Sequence, residues 1–194
     1  MKIFLVGLSD IGKSTIGTEL AKEIDYKLFD FDKEVEAYFN KAISHIQSQF
    51  ITEYSYRVHL SVVLKKIIEE NENYNYIVTL PPSGLRDCFL RILKKIDFVV
   101  IALHDRPENI LERITFYDGD SNKIEKILTE KKKKLYLREI KKDNTYFNKT
   151  YKRTKYHIDL DGASVKESVL KIEKLIIEIE NINKNNIFSS TWIK

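Results

Sequence analysis

The chain carries one cysteine, Cys88, in 194 residues. No intrachain disulfide can form, and no cysteine-based metal spacing exists. Cys88 itself reads as a small apolar residue of the interior. Long apolar runs are also missing, which excludes a bilayer-spanning helix. Met1-Lys2 leads directly into a strand-like segment with no secretory h-region before it, so a cytoplasmic protein with no membrane partner is expected. Charge of one sign is scarce: 33 basic residues face 29 acidic ones, a net +4. That balance is too mild to imply a nucleic-acid partner. The basic residues do gather between Lys123 and Lys155, with Lys131–Lys134 unbroken. Such a run is either a solvated helix face or a basic surface that steers anionic ligands.

With hydrophobic residues at 43% and charged residues at 32%, the composition is that of a globular domain. The length suits a single domain with small insertions, expected as a monomer. Strand-like segments at Lys2–Val6, Tyr26–Phe29, Tyr76–Leu80, Phe98–Leu103 and Tyr156–Leu160 alternate with helical patterns. Their nearly continuous apolar character suits parallel strands covered on both faces, a three-layer α/β/α fold with a five-stranded parallel sheet. Leu60, Val63, Leu64, Ile67 and Ile68 mark a helix with a broad buried stripe, and Val165, Val169, Ile172, Ile176 and Ile179 mark another, with Ser164 as its cap. Pro107 begins a helix after the fourth strand. The polar stretch Thr115–Asn122 is expected as a helix–helix loop that could serve as a mobile lid. Residues 181–194 are expected as an extended or poorly ordered tail.

Chemistry enters at Gly7-Leu8-Ser9-Asp10-Ile11-Gly12-Lys13-Ser14, which fits G-x-x-x-x-G-K-[ST] and is followed by Thr15. A strand precedes it, and Ile16, Leu20, Ala21 and Ile24 continue as a helix, the context that gives this pattern its meaning. Backbone N–H groups of such a loop turn inward around phosphates at a helix N-terminus. Gly7, Ser9, Asp10, Ile11, Gly12, Lys13, Ser14 and Thr15 are thus candidate nucleotide contacts. Lys13 reaches the outer phosphates, and the Ser14 hydroxyl serves a magnesium ion. ATP and Mg²⁺ are the expected cofactors. Asp30 and Asp32 close the second strand, where carboxylates border the ligand crevice of an open parallel sheet. One can serve magnesium while the other takes hydrogen bonds from an acceptor hydroxyl. Asp32 equally fits an N-cap for a helix over Lys33–Phe39.

These residues resemble the shikimate kinase family of small P-loop kinases. The phosphate loop, Phe29-Asp30-Phe31-Asp32 against that family's Asp-Thr-Asp segment, and Tyr56-Arg57 against its Phe-Arg pair carry the resemblance over most of residues 1–180. It implies a nucleoside-monophosphate-kinase-like fold, with a substrate-binding subdomain over residues 33–70 and a lid over residues 114–124. It also implies transfer of the ATP γ-phosphate to the 3-hydroxyl of shikimate. Asp30 would then sit near the metal, Asp32 would bind the acceptor's hydroxyls, and Arg57 would clamp its carboxylate. Lys13, Asp32 and Arg57 are the candidate catalytic set, and Arg113 the candidate to stack on adenine.

The departures are specific. Pro81-Pro82-Ser83 stands where the family has three glycines; the prolines offer no N–H donors, leaving Ser83 as the substrate-binding candidate there. No arginine lies between Ile114 and Leu137 to serve as the lid arginine, so Lys123 or Lys126 would substitute as point charges. Lys142, four residues before Tyr146, is matched to the family's second substrate arginine. Leu60 occupies the place of an acid three residues after the Phe-Arg pair. Asp10 lies inside the phosphate cradle, where its side chain must turn outward to avoid repelling phosphate. Three readings follow: a kinase for shikimate, the same fold acting on another hydroxylated substrate, and a nucleotide-binding regulatory module without turnover.

Overall fold

The computed structural model describes residues 1–190, with side chains through Ile182. At its centre lie five parallel strands, β1 (Lys2–Val6), β2 (Lys27–Asp30), β3 (Tyr76–Thr79), β4 (Val99–His104) and β7 (Tyr156–Asp159). Their order is β2-β3-β1-β4-β7. Each strand matches its sequence-read segment to within one residue at either end. The short strands β5 (Phe116–Tyr117) and β6 (Lys123–Ile124) pair separately as an antiparallel hairpin.

The layering follows from handedness. Helix α1 (Lys13–Glu23) carries the chain from β1 outward to β2 at the edge of the sheet. Every later crossover runs the opposite way: α2 (Phe31–Phe39), α3 (Ile43–Gln47) and α4 (Glu53–Glu70) lead to β3, α5 (Asp87–Leu93) leads to β4, and α6 (Pro107–Arg113) and α7 (Glu130–Tyr151) lead to β7. Right-handed crossovers in opposite directions put α1 on one face of the sheet and α4, α5 and α7 on the other. Helix α8 (Val165–Ser190) returns to pack against α1. Ile3, Phe4, Leu5 and Val6 are consequently buried from both sides, as the continuous apolar run requires. On the α4 face, Phe4, Tyr76, Phe29 and Phe98 meet edge to face at 5.8–6.2 Å, the geometry that ring quadrupoles favour.

Local signals set the helix starts. The Thr52 hydroxyl accepts from Ser55 N–H at 3.1 Å to cap α4, and Leu60, Val63, Leu64, Ile67 and Ile68 of that helix are buried. At α8, Ser164 Oγ accepts from Glu167 N–H at 3.3 Å, while Glu167 Oε2 accepts from Ser164 N–H at 2.9 Å. This reciprocal pair is a capping box. Pro107 occupies the first turn of α6.

Three expectations change. Helix α2 begins at Phe31 with Asp30 at its N-cap position, so Asp32 lies within the first turn and does not cap. The polar stretch after Ile114 is the β5–β6 hairpin, because the Asp118 carboxylate accepts from the N–H groups of Asp120 and Asn122, each at 2.9 Å, and closes a tight turn. Residues 181–190 continue α8: the segment has no proline or glycine to stop the helix that Ser164 starts. Residues 191–194 of the expected tail lie outside the described residues.

Gly17 shows how tightly α1 lies on the sheet. A Cβ at this position would sit 2.9 Å from Thr79 Cγ2 and 3.2 Å from Leu28 Cδ1. Alanine gains about 1 kcal/mol of helix propensity over glycine, whereas overpacking costs about 1–3 kcal/mol. The overpacking term should win. Gly17→Ala is expected to lower the urea midpoint by an amount equivalent to about 1 kcal/mol. A midpoint at or above that of the parent protein would contradict this packing.

Candidate active site

The C-terminal ends of the five strands open onto one crevice of about 840 Å³, the place where open α/β sheets bind ligands. Its floor is the β1–α1 loop. Gly7 has φ +155°, and a Cβ there would lie 2.9 Å from the backbone oxygen of Leu103. Only glycine lets the loop leave β1 this close to β4. Gly12, at φ +105°, forms the N-cap of α1. Between these glycines the loop wraps the Lys13 ammonium, which donates to Gly7 O at 3.0 Å and Leu8 O at 2.7 Å. Burial pulls the Lys13 pKa down to about 8, against the opposing fields of Asp32, Asp10 and Asp30.

Asp10 resolves its own difficulty. It takes a left-handed conformation, φ +57°, and its carboxylate accepts from Thr115 N–H at 3.2 Å. The side chain thus faces the start of the β5–β6 hairpin. Burial raises its pKa; the Thr115 hydrogen bond and Lys13 hold that rise back. Ser9, Ile11, Ser14 and Thr15 also border the crevice, with Ser14 and Thr15 exposed to it.

Across from Lys13, the end of β2 and the first turn of α2 deliver Asp30 and Asp32 to the same space. Asp32 meets solvent through the crevice mouth but is hemmed in by the crevice walls. That burial, with the neighbouring Asp30 carboxylate and to a lesser degree Glu36, pushes its pKa up to about 6 against the pull of Lys13. Tyr56 feels the same charge: burial first, then Asp32, holds its phenol well above the usual range. Ser14 and Asp30 offer hard oxygen donors of the kind magnesium takes beside phosphate oxygens. Among the described residues there is no cluster of three or more His, Cys, Asp or Glu side chains preassembled for a metal.

Arg113 also lines the crevice. It pairs with Asp105 at 2.7 Å and reaches Ile11 O at 3.4 Å. The Asp105 side chain has no solvent exposure. Burial would raise its pKa, yet the hydrogen bonds from Asn109 and Arg106 N–H and the Arg113 guanidinium beside it bring it below the usual carboxylate range. Asp105 therefore pins Arg113 to the phosphate loop. It stands at the end of β4 as Asp30 stands at the end of β2, and that position was the sequence signal that would have found it.

The other candidates fall elsewhere. Arg57, Ser83 and Lys142 do not line the crevice. Arg57 is buried, paired with Asp87 at 2.8 Å and near Glu53 at 3.8 Å. Ser83 lies in a turn closed by Gly84 N–H donating to Pro81 O at 2.8 Å. Lys142 is an exposed residue midway along α7, paired with Glu139 at 3.3 Å. Lys132 bears the same four-residue relation to Tyr136, and it sits in the first turn of α7. Tyr136 in turn meets Phe116 of the hairpin, ring centroids 6.0 Å apart. Spacing alone could not choose between the two lysines. The hairpin itself spans to the α2–α3 segment: Ser121 Oγ donates to Glu36 Oε1 at 2.6 Å, and Ser44 Oγ donates to Gly119 O at 2.5 Å. Of the two lysines proposed for the lid, Lys126 lies over the Phe116 ring at 4.9 Å and Lys123 pairs in β6.

Comparisons with known proteins agree with this geometry. The family model described as shikimate kinase matches residues 11–177. A shikimate kinase from Clostridium botulinum is 31% identical over 178 residues, covering 91% of this chain and 97% of that one. A shikimate kinase structure from Bacteroides thetaiotaomicron superposes with a TM-score of 0.72 at 18% identity, covering 91% of this chain and 98% of the other. Another, from Acinetobacter baumannii in complex with shikimate, gives 0.67 at 23% identity, with coverage of 91% and 93%. The phosphate loop, the paired acids at the end of β2 and a family match over most of the length lead to one conclusion: the chain belongs to the shikimate kinase family.

Proposed function

We propose that this protein transfers the γ-phosphoryl group of ATP to the 3-hydroxyl of shikimate. The observation that carries this reading is the meeting of Lys13, Asp30 and Asp32 in one crevice, within a chain matched to the family across residues 11–177. A volume of about 840 Å³ suits a nucleotide together with a small acceptor.

The chemistry asks for positioning and charge balance more than for covalent steps. Lys13 exchanges the carbonyls of Gly7 and Leu8 for phosphate oxygens as the nucleotide enters. Loop N–H groups at the start of α1 hold the phosphates in line with the acceptor. Asp32, poised near neutrality, orients the attacking hydroxyl and receives its proton. Arg57 is the acceptor-side cation suited to a carboxylate. Mg²⁺ would be held by the Ser14 hydroxyl and the Asp30 carboxylate, and would supply charge neutralisation for the transferring group. We further place the enzyme in the cytoplasm, where ATP is abundant, and take it to act as a monomer. The same fold acting on a different hydroxylated acid is the second reading. It is favoured by Pro81-Pro82 at the acceptor side and by the closed Arg57–Asp87 pair.

Purified protein with ATP and Mg²⁺ should release ADP in response to shikimate. Lys13→Ala should reduce that response by at least about 10³-fold, the scale on which a charge clamp on the transferring group contributes. ADP release indifferent to shikimate, but stimulated by another hydroxylated acid, would favour the second reading. The kcat/KM profile should be bell-shaped, rising as Asp32 loses its proton near pH 6 and falling as Lys13 loses its own near pH 8. A flat profile between pH 5 and 9 would exclude these groups as the titrating pair.

Stability provides an independent check on Asp32. Its folded pKa of about 6 lies above the ordinary 3.8, so across that window the folded chain binds more protons than the unfolded one. Stability is therefore lost as pH rises through the window. Asp32→Asn removes this penalty. The variant should melt a few degrees, roughly 2–5 °C, above the parent protein at pH 8, and the difference should vanish below about pH 4. An equal or lower melting temperature at pH 8 would contradict the raised pKa.

A further inference from the structure

Arg57 is the site candidate carried by α4, and its guanidinium is already paired in this structure. Its side chain retains 11% of its exposure, and its Nη2 donates to Asp87 Oδ2 at 2.8 Å. Glu53, one turn earlier on α4, lies 3.8 Å from Nη1. The Nε–H is buried and has no hydrogen-bond partner among the described residues. A buried donor without a partner costs free energy, and a guanidinium presents Nε and its neighbouring Nη as one edge that fits a carboxylate. Asp87 meets this guanidinium with one oxygen only.

The source of this counter-ion is unusual. The position three residues after Arg57 is Leu60, a core residue at 3% exposure, so α4 supplies no acid there. The charge comes instead from the first residue of α5, thirty positions away in sequence. Asp87 is poorly fixed in that place. Its backbone has φ +46°, a region that non-glycine residues visit at a cost, and its side chain is 41% exposed. It can leave for solvent without losing a buried environment. With Glu53 alongside, a further carboxylate brought to Arg57 would face two acids for one cation, and like charges so placed repel.

We infer that Asp87 is a gate on the acceptor site, holding Arg57 in the place that the acceptor's carboxylate must take. This rests on the acceptor reading above. An entering carboxylate displaces Asp87 and closes on the Nε edge, so part of its binding free energy is consumed in opening the pair. Apparent affinity is then reduced by the fraction of molecules in which Arg57 is free. The gate discriminates by charge. A neutral acceptor cannot compete for Arg57, whereas a carboxylate can.

The test uses the whole protein with ADP and Mg²⁺ present, titrated calorimetrically with shikimate and with its uncharged primary amide. Asp87→Asn removes the charge and keeps a residue that tolerates the left-handed conformation. Asp87→Gly is the second variant, since glycine adopts that conformation without strain, and ADP affinity reports that both remain folded. Shikimate should bind about three- to tenfold more tightly to either variant, as expected if Asp87 closes the site in most molecules. The amide should bind all three proteins alike. Unchanged or weaker shikimate binding by both variants would overturn the gate and make Asp87 a positioning residue for Arg57. Equal tightening of acid and amide would overturn it too. If none of the three proteins binds shikimate while all bind ADP, the acceptor reading fails, and the gate fails with it.

Discussion

One ammonium group, that of Lys13, is the centre on which the remaining geometry depends. It is held by two loop carbonyls, 3.0 and 2.7 Å away, and surrounded at longer range by Asp32, Asp10 and Asp30. A buried cation with only carbonyl partners is a costly arrangement unless charge is arranged around it. The chain meets that requirement with backbone shape. Gly7 passes against Leu103 where any side chain would collide, and Gly12 opens α1 from a left-handed conformation. Asp10 turns its carboxylate away toward Thr115. The sheet then fixes where the balancing acids stand, because parallel strands in the order β2-β3-β1-β4-β7 bring their C-terminal ends to one side.

The donor and acceptor halves of the crevice are built differently. On the donor side the two cations have fixed supports: Lys13 in its loop, and Arg113 through Asp105, which itself accepts from Arg106 N–H, Asn109 and Gly162 N–H. On the acceptor side the supports are conditional. The Arg57–Asp87 pair joins α4 to α5, while the β5–β6 hairpin is tied to α2 and α3 by hydroxyl contacts at Ser121 and Ser44. Single hydrogen bonds of this kind contribute little each and can open individually. This division suits an enzyme that must bind a nucleotide in a fixed pose and admit its acceptor by movement.

Legibility in the sequence divided along the same line. Strands and the phosphate loop were readable because their information is local: apolar runs of fixed length, glycines at fixed spacing, a lysine at the turn. Asp30 and Asp32 were readable because the end of a parallel strand is a site by topology. Asp105 obeyed the same rule and went unused. The Arg57–Asp87 pair was not readable, since it joins residues thirty positions apart through the packing of two helices, which no periodicity encodes. Lys142 was not singled out by its spacing, because a lysine four residues before a tyrosine occurs twice on α7: Lys132 precedes Tyr136, which meets Phe116, and Lys142 precedes Tyr146, which meets Arg86. The last turns of α8 were hidden by asparagine-rich composition. Propensity there is weak, and the helix is instead propagated from a strong N-terminal cap.

Phosphorus NMR of a mixture of the protein, Mg²⁺, ATP and shikimate tests the central claim most directly, because it reads the fate of the γ-phosphoryl group itself. A new phosphomonoester resonance should grow in proportion to ADP and be absent when shikimate is omitted. ATP left intact, or ADP accompanied only by inorganic phosphate, would contradict that claim.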